Sequence, residues 1–285
     1  MSTEDNATKE SKKELTLQEK EEKVKDFRPI DDVFFETLAA DIGFCQEMLQ
    51  IILDDKKLTV IDVIVQSSER NIYGRSVRLD ALCTLGNGKK CNVEVQRSDN
   101  DNHLKRVRFN AASIAVKDSH EGSRFEDIED IIVVYISQFD IFKSGRVLYH
   151  VDSVIRETGI PVNDGLERVF VNTAESDETT ISEFMECFLE KEVNNPKFPE
   201  LTRRMNYLKH QEGGLDTMCE VMQRYEQEAV ERAKDAYIEK GRTEANVNAI
   251  RFMVTTLHAT KSDVLKQYSE DEYNAAIQLI DNTKK

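Results

Sequence analysis

The sequence predicts an α/β domain followed by a helical region. Apolar residues recur at helical spacing in residues 30–53 and again in 97–117, whereas strand patterns occupy 58–66, 76–85, 90–96 and 131–137. The chain has 285 residues, of which 39% are hydrophobic, so it is long enough to bury a sizeable core. The predicted order is therefore helix, three strands, helix, strand, and then helices alone.

Composition sets the expected domain boundaries. Residues 1–26 contain no aromatic residue and hold eight acidic residues against six lysines, so a disordered tail is expected over 1–27. The α/β domain is assigned to residues 28–175. Strand signals end after Asn172, and residues 176–285 are assigned to a helical C-terminal region. Two capping-box sequences, at 180–183 and 269–272, begin helices there, and Gly241 is a candidate interruption of a long helical stretch at 215–257.

The most informative local feature is a hairpin between the second and third strands. The turn Gly86-Asn87-Gly88 is typical of a short hairpin loop, and a three-residue loop sets Leu85 opposite Lys89. The same register sets Asp80 opposite Glu94. Alternation along both strands places the polar residues on one face and the apolar residues on the other.

Two facing carboxylates are costly without a positive charge. Facing Cβ atoms lie about 5 Å apart in a sheet, and at an effective dielectric near 20 the repulsion is roughly 3 kcal/mol. One interpretation is a divalent metal held by Asp80 and Glu94, for which Mg²⁺ is suited by its preference for hard oxygen ligands. The other is that Arg78 or Arg75 neutralises the pair on a solvated face. The hairpin alone leaves both open.

The motif formed by Asp80, thirteen intervening residues and Glu94-Val95-Gln96 resembles the D…ExK signature of the PD-(D/E)XK nuclease superfamily. More specifically, it is similar to the PD-(D/E)XK nuclease family transposases, which are related to the Rpn recombination-promoting nucleases. Residues 29–38, 104–115, 131–151 and 239–252 resemble further stretches of that family, in the same order. The resemblance implies a restriction-endonuclease-like αβββαβ core with a helical C-terminal extension, and a metal-dependent DNA endonuclease of the transposase type.

The resemblance also assigns roles to residues. It implies that Asp80, Glu94 and the Val95 carbonyl hold Mg²⁺ or Mn²⁺, that Gln96 positions the attacking water, and that Asp32 orients this water or supports a second ion. Gln96 stands where the superfamily usually has lysine, and an amide has no proton to exchange near pH 7. The alternative function is therefore a catalytically impaired nuclease fold that binds DNA or a protein without cutting.

Charge bears on the expected partner. The formal net charge of −15 argues against broad, nonspecific binding of DNA phosphates. Residues 97–117, however, hold five basic residues against two acidic ones directly after the proposed metal strand. A helix that crosses back from this strand would bring Arg106 and Arg108 near a phosphate. The alternative is a solvated helix whose arginines pair with neighbouring acids, and the family resemblance favours DNA contact.

Other features narrow the class of protein. No apolar run reaches the ~18 residues of a membrane span, so a cytoplasmic protein without membrane contact is expected. Residues 262–285 hold five acidic residues against three lysines, which argues against a DNA-binding tail. A packing or oligomerisation role is expected instead, and with it a homo-oligomer formed through the C-terminal helices.

Overall fold

The computed structural model describes residues 16–69, 77–119, 122 and 124–282. The chain divides into two compact units, and the boundary falls between Met222 and Gln223. Among the described residues, no helix is both long and apolar enough to cross a membrane. Residues 1–15 of the predicted disordered tail lie outside the described residues, and so does Arg75.

The first unit is built on a mixed sheet. Its strands, in chain order, are β1 (Val60–Glu69), β2 (Val77–Leu85), β3 (Lys90–Gln96), β4 (Ile131–Ser137) and β5 (Leu148–His150), with β8 (Leu166–Asn172) following the short strands β6 (Ser153–Val154) and β7 (Pro161–Val162). Within the described residues the spatial order is β1-β2-β3-β4-β8-β5, while β6 and β7 form a separate pair. Strands β1 to β3 are antiparallel neighbours, whereas β3, β4 and β8 run parallel.

Helices cover both faces of this sheet. They are α1 (Leu17–Val24), α2 (Asp32–Ala39), α3 (Ile42–Ile52), α4 (His103–Asp118), α5 (Thr180–Cys187), α6 (Pro199–His210) and the first part of α7 (Glu212–Thr255). The parallel step from β3 to β4 requires a crossover, and α4 supplies it. The order of α2 and α3, three strands, α4 and β4 is the predicted αβββαβ core, and the fold is restriction-endonuclease-like with C-terminal helices.

Two apolar cores flank the sheet. On one face, Cys91, Val93 and Val95 of β3 pack in a cluster with residues of α2, α3, α5 and α6. On the other face, Val107 and Ala111 of α4 belong to a cluster with residues of β2, β4 and β8. The polar face of the predicted hairpin is therefore covered by α4 rather than solvated.

The second unit contains the rest of α7, α8 (Lys261–Val264) and α9 (Glu270–Asn282). Its core is small and is formed by Val247, Ile250, Val264 and Ala276. Ser269 caps α9 through reciprocal hydrogen bonds with Glu272, as the capping-box sequence predicted.

Several expectations differ from the structure in informative ways. Gly241 does not interrupt α7, and the Arg242–Glu239 ion pair (2.7 Å) spans its position. Thr179, not Thr180, caps α5, and its hydroxyl accepts from the Ser182 backbone N–H. Strand β8 was not predicted, since charged residues interrupt its apolar pattern. The first unit also includes α5 and α6, which the composition had placed in the C-terminal region.

Candidate active site

The predicted hairpin register is confirmed. Leu85 N–H donates to the Lys89 carbonyl (2.9 Å), and the ladder pairs Thr84 with Lys90 through Ala81 with Val93. The paired ladder between β2 and β3 ends there, and extending its register by one step sets Asp80 opposite Glu94. The structure therefore brings these two predicted residues together at the point where the ladder ends.

Asp80 reaches across to β3 at this point. Its Oδ2 accepts a hydrogen bond from the Val95 backbone N–H at 3.0 Å. Because the N–H and C=O of a strand residue point to the same side, the Val95 carbonyl is also expected on the Asp80 side. Asp80, Glu94 and this carbonyl are the three predicted metal ligands.

Glu94 is the most deeply buried of the predicted site residues. It is 1% exposed, and its Oε1 accepts from Asn92 Nδ2 at 3.0 Å. Burial, followed by the negative charge of Asp80, raises the pKa of Glu94 to about 8. Burial also raises the pKa of half-buried Asp80 to about 6, with the Asp32 charge adding to the effect. The pair therefore holds its protons to a higher pH than two free carboxyls would.

Asp32 is held near this pair by its neighbour. It is the first residue of α2, and its side chain is exposed, yet desolvation by the surrounding protein raises its pKa more than the nearby Arg97 lowers it. Buried Asp31 accepts from Arg97 Nη1 at 2.8 Å and from the Arg28 backbone N–H at 2.8 Å. Since Arg97 directly follows Gln96, this ion pair ties the end of β3 to the start of α2. Sequence reasoning missed Asp31.

Strand β1 contributes a strained residue opposite Asp80. Gln66 lies between the pairs Val65–Ala81 and Ser67–Leu79, so its register partner is Asp80. Its φ of 52° is in the left-handed region, which non-glycine residues rarely adopt within a strand. Gln66 Nε2 donates to the carboxylate of Glu36, a buried residue of α2. Gln66 thus combines a left-handed backbone conformation with a hydrogen bond that links β1, the strand next to Asp80, to α2.

Gln96 is half-buried, and both ends of its amide are engaged. Its Oε1 accepts from Arg106 Nη1 at 2.8 Å, and its Nε2 donates to the Ser98 carbonyl at 3.2 Å. A guanidinium only donates, so the atom facing Arg106 must be the amide oxygen. The orientation of Gln96 is therefore fixed by its neighbours.

The start of α4 is anchored by a chain of polar contacts that sequence reasoning missed. Buried His103 contacts Asp99 Oδ1 through Nε2 at 3.0 Å and the Tyr135 hydroxyl through Nδ1 at 2.8 Å. A carboxylate only accepts, so Nε2 carries the proton, and in the neutral ring Nδ1 accepts from the hydroxyl. Tyr135 is paired in register with Glu94. A tyrosine inside an otherwise apolar strand was the one sequence signal of a buried partner.

The two predicted phosphate-binding arginines of α4 have different surroundings. Arg106 lies 3.9 Å from Glu94 Oε2 and 3.8 Å from Asp101 Oδ2, and its side chain is 37% exposed. Arg108 is exposed and makes no ion pair within the described part of the chain. Pairing with neighbouring acids, the alternative left open by the sequence, thus applies to Arg106 and not to Arg108. Arg78, the other predicted counter-charge, lowers the pKa of Asp80. The face of the hairpin on which Asp80 was predicted is, however, covered by α4 rather than solvated.

The donor set suits a hard divalent cation that keeps part of its water shell. Among the described residues, no group of three or more His, Cys, Asp and Glu side chains could hold a metal ion by itself. Asp80, Glu94 and the Val95 carbonyl would leave coordination positions for water and for a phosphate oxygen. Mg²⁺ is commonly held by one or two carboxylates together with such oxygens, so the residues present fit this ion.

A model of a known protein family matches most of the chain. A family model described as PD-(D/E)XK nuclease family transposase matches residues 43–251, which include Asp80, Glu94, Gln96 and all of α4 but not Asp32. Neither a curated protein sequence nor a solved structure matched the chain. The family match covers well over half of the 285 residues. The chain therefore belongs to the PD-(D/E)XK nuclease family transposases.

Proposed function

We propose that this protein is a metal-dependent endonuclease that hydrolyses phosphodiester bonds in DNA, in the manner of a transposase or recombination-promoting nuclease. The observation that supports this most directly is the pair formed by Asp80 and Glu94. Burial raises both pKa values, so a divalent cation is the natural partner for the pair in its ionised form. Family membership supports a nuclease and makes DNA the expected substrate.

The site residues take distinct roles in this proposal. Asp80, Glu94 and the Val95 carbonyl would hold Mg²⁺ or Mn²⁺. When bound, the ion would supply polarisation of the scissile phosphate and a lowered pKa for a coordinated water. Gln96 would position the attacking water, and Asp32 would orient that water or support a second ion.

DNA would approach over the exposed side of α4. Arg108 is an exposed cation there, and Arg106 lies deeper, beside the carboxylates. The net charge of −15 implies that contact is restricted to this local basic segment. A homo-oligomer through the C-terminal helices and a cytoplasmic location remain predictions, and light scattering of the full chain tests the first of these.

A plasmid assay tests the central claim. Supercoiled DNA is incubated with the protein in the presence of Mg²⁺, Mn²⁺ or EDTA, and nicked and linear products are separated on a gel. Cleavage is expected with either metal, and it should disappear in EDTA and in Asp80→Asn, because that variant removes one ligand charge with little change in shape. Cleavage by Asp80→Asn at the rate of the parent would refute the assignment.

A second candidate function rests on Gln96. Because this side chain cannot exchange a proton, the fold could bind DNA or a protein without cutting it. Metal-independent DNA binding with no cleavage under any condition would favour this binding role. Gel-shift titration of the same plasmid fragments, with and without metal, measures it.

A further inference from the structure

A cation beside Glu94 and Gln96 lies on helix α4 rather than on β3. Phosphodiester hydrolysis builds negative charge on the phosphate oxygens, and a fixed cation beside them stabilises the transition state. Gln96, at the end of β3, is neutral. Arg106 of α4 comes within 4.0 Å of both Gln96 and Glu94.

Arg106 is placed between these two residues by three contacts. Its Nη1 donates to Gln96 Oε1 at 2.8 Å, its Nε lies 3.9 Å from Glu94 Oε2, and Nη1 lies 3.8 Å from Asp101 Oδ2. About one third of the side chain remains exposed, which leaves donors of the guanidinium facing solvent. Arg106 therefore touches the site on one side and is accessible on the other.

The charge of Arg106 acts on the whole site. It lowers the pKa of Asp80, Glu94 and Asp32, against the burial that raises all three. Its helix is anchored independently, since His103, three residues earlier, is held by Tyr135. The position of Arg106 thus follows from the packing of α4 on the sheet and not from its own ion pairs.

We infer that Arg106 is a positioning residue of this site: it supplies from α4 the positive charge that position 96 lacks, and it fixes the orientation of the Gln96 amide. This inference rests on the proposed nuclease function. It differs from a role in DNA affinity, because a residue directed at Glu94 and Gln96 affects the chemical step, whereas the exposed Arg108 affects binding.

Moving the charge from the helix to the strand tests this role. Arg106→Gln removes the charge but keeps an amide donor for Gln96. Lys57→Gln, which removes an exposed charge of the first unit outside the basic segment 97–117, is the matched control. In single-turnover plasmid cleavage, Arg106→Gln is expected to lower kcat about 100-fold with little change in KM for DNA. Adding Gln96→Lys to Arg106→Gln should recover at least about tenfold, because the lysine returns a cation to the same place.

Metal affinity provides a readout that does not require cleavage. Removing a like charge beside the carboxylates should tighten Mn²⁺ binding about tenfold in Arg106→Gln, measured by isothermal titration calorimetry. Gln96→Lys in that background should weaken Mn²⁺ binding again, and Lys57→Gln should match the parent. Circular dichroism spectra of all variants establish that each is folded.

The outcomes separate the two proposals. If the parent never cuts DNA but Arg106→Gln binds Mn²⁺ more tightly, the nuclease function is wrong and the placement of the charge is right. If the parent cuts and Arg106→Gln alters neither kcat nor Mn²⁺ affinity, the role of Arg106 is wrong and the nuclease function stands. The inference would also be overturned if Gln96→Lys, added to Arg106→Gln, failed to return kcat and Mn²⁺ affinity toward the parent values. Absence of Mn²⁺ binding in the parent and in every variant would overturn both proposals.

Discussion

The charge on Glu94 should destabilise the metal-free protein, and Glu94→Gln should therefore stabilise it at alkaline pH. The pKa of Glu94 rises from its usual 4.5 to about 8 on folding, because the carboxyl is buried beside Asp80. The folded chain thus binds this proton more tightly than the unfolded chain. Stability is expected to fall as the pH rises from about 4.5 to about 8 and to stay low above that range.

The size of the effect follows from the pKa difference. Each pH unit between the unfolded pKa and the working pH costs about 1.4 kcal/mol, so the penalty at pH 7.5 is about 4 kcal/mol at most. Glutamine keeps the shape of the protonated acid but loses one acceptor, and a hydrogen bond such as that from Asn92 contributes about 1 kcal/mol. A net gain of about 2–3 kcal/mol corresponds to a rise in Tm of about 5–10 °C for a domain of this size.

Thermal unfolding followed by circular dichroism in EDTA measures this gain. The parent and Glu94→Gln are compared at pH 5, 6.5 and 8, with Glu129→Gln, an exposed glutamate of the first unit, as the control. The difference in Tm should be largest at pH 8 and absent at pH 5, while the control follows the parent throughout. A difference in Tm that is independent of pH, or a Glu94→Gln variant that is less stable than the parent at pH 8, would show that the surroundings of Glu94 do not disfavour its ionised form.

Three further predictions follow from the site. Mg²⁺ affinity of the parent should rise as the pH rises from about 6 to about 8, because the metal competes with the protons on Asp80 and Glu94. Calorimetry in two buffers of different ionisation heat detects the released proton, and pH-independent binding would contradict the prediction. Arg108→Ala should weaken binding to DNA of any sequence and reduce the salt dependence of Kd. Gel-shift titrations at several salt concentrations measure this, and an unchanged slope of log Kd against log salt concentration would disprove it. Tyr135→Phe should lower the free energy of unfolding by about 1–2 kcal/mol, because it leaves His103 Nδ1 buried without a hydrogen-bond donor. Urea titrations measure this change, and equal stability of the two proteins would contradict the assigned hydrogen bond.

The hairpin shows how much of this site can be predicted from the sequence. The loop at 86–88 and the alternation of β2 and β3 determine one register, and a shift by one residue would reverse every side chain between faces. The apolar positions Ala81 and Val93 then identify the core side, and Asp80 and Glu94 follow without any tertiary information. Local rules were sufficient here because hairpin contacts are between residues close in sequence.

The surroundings of the carboxylates could not be predicted in the same way. Burial of Glu94 depends on how α4 crosses the sheet, and this is decided by packing between Val107, Ala111 and distant strands. The Asp31–Arg97 ion pair joins residues 66 positions apart. The sequence contains no signal for such contacts, although it did place Arg106 on the helix that follows β3.

The departure at Gln96 has a physical explanation in this environment. Arg106 already lies between Glu94 and Gln96, and a lysine at position 96 would set a second cation against it within a half-buried site. Like charges at such a separation repel strongly where water is partly excluded. A glutamine instead accepts a hydrogen bond from the guanidinium, and this bond orients its amide. The neutral residue on β3 and the arginine on α4 are thus two parts of one arrangement, in which the helix provides the charge and the strand provides an acceptor for it.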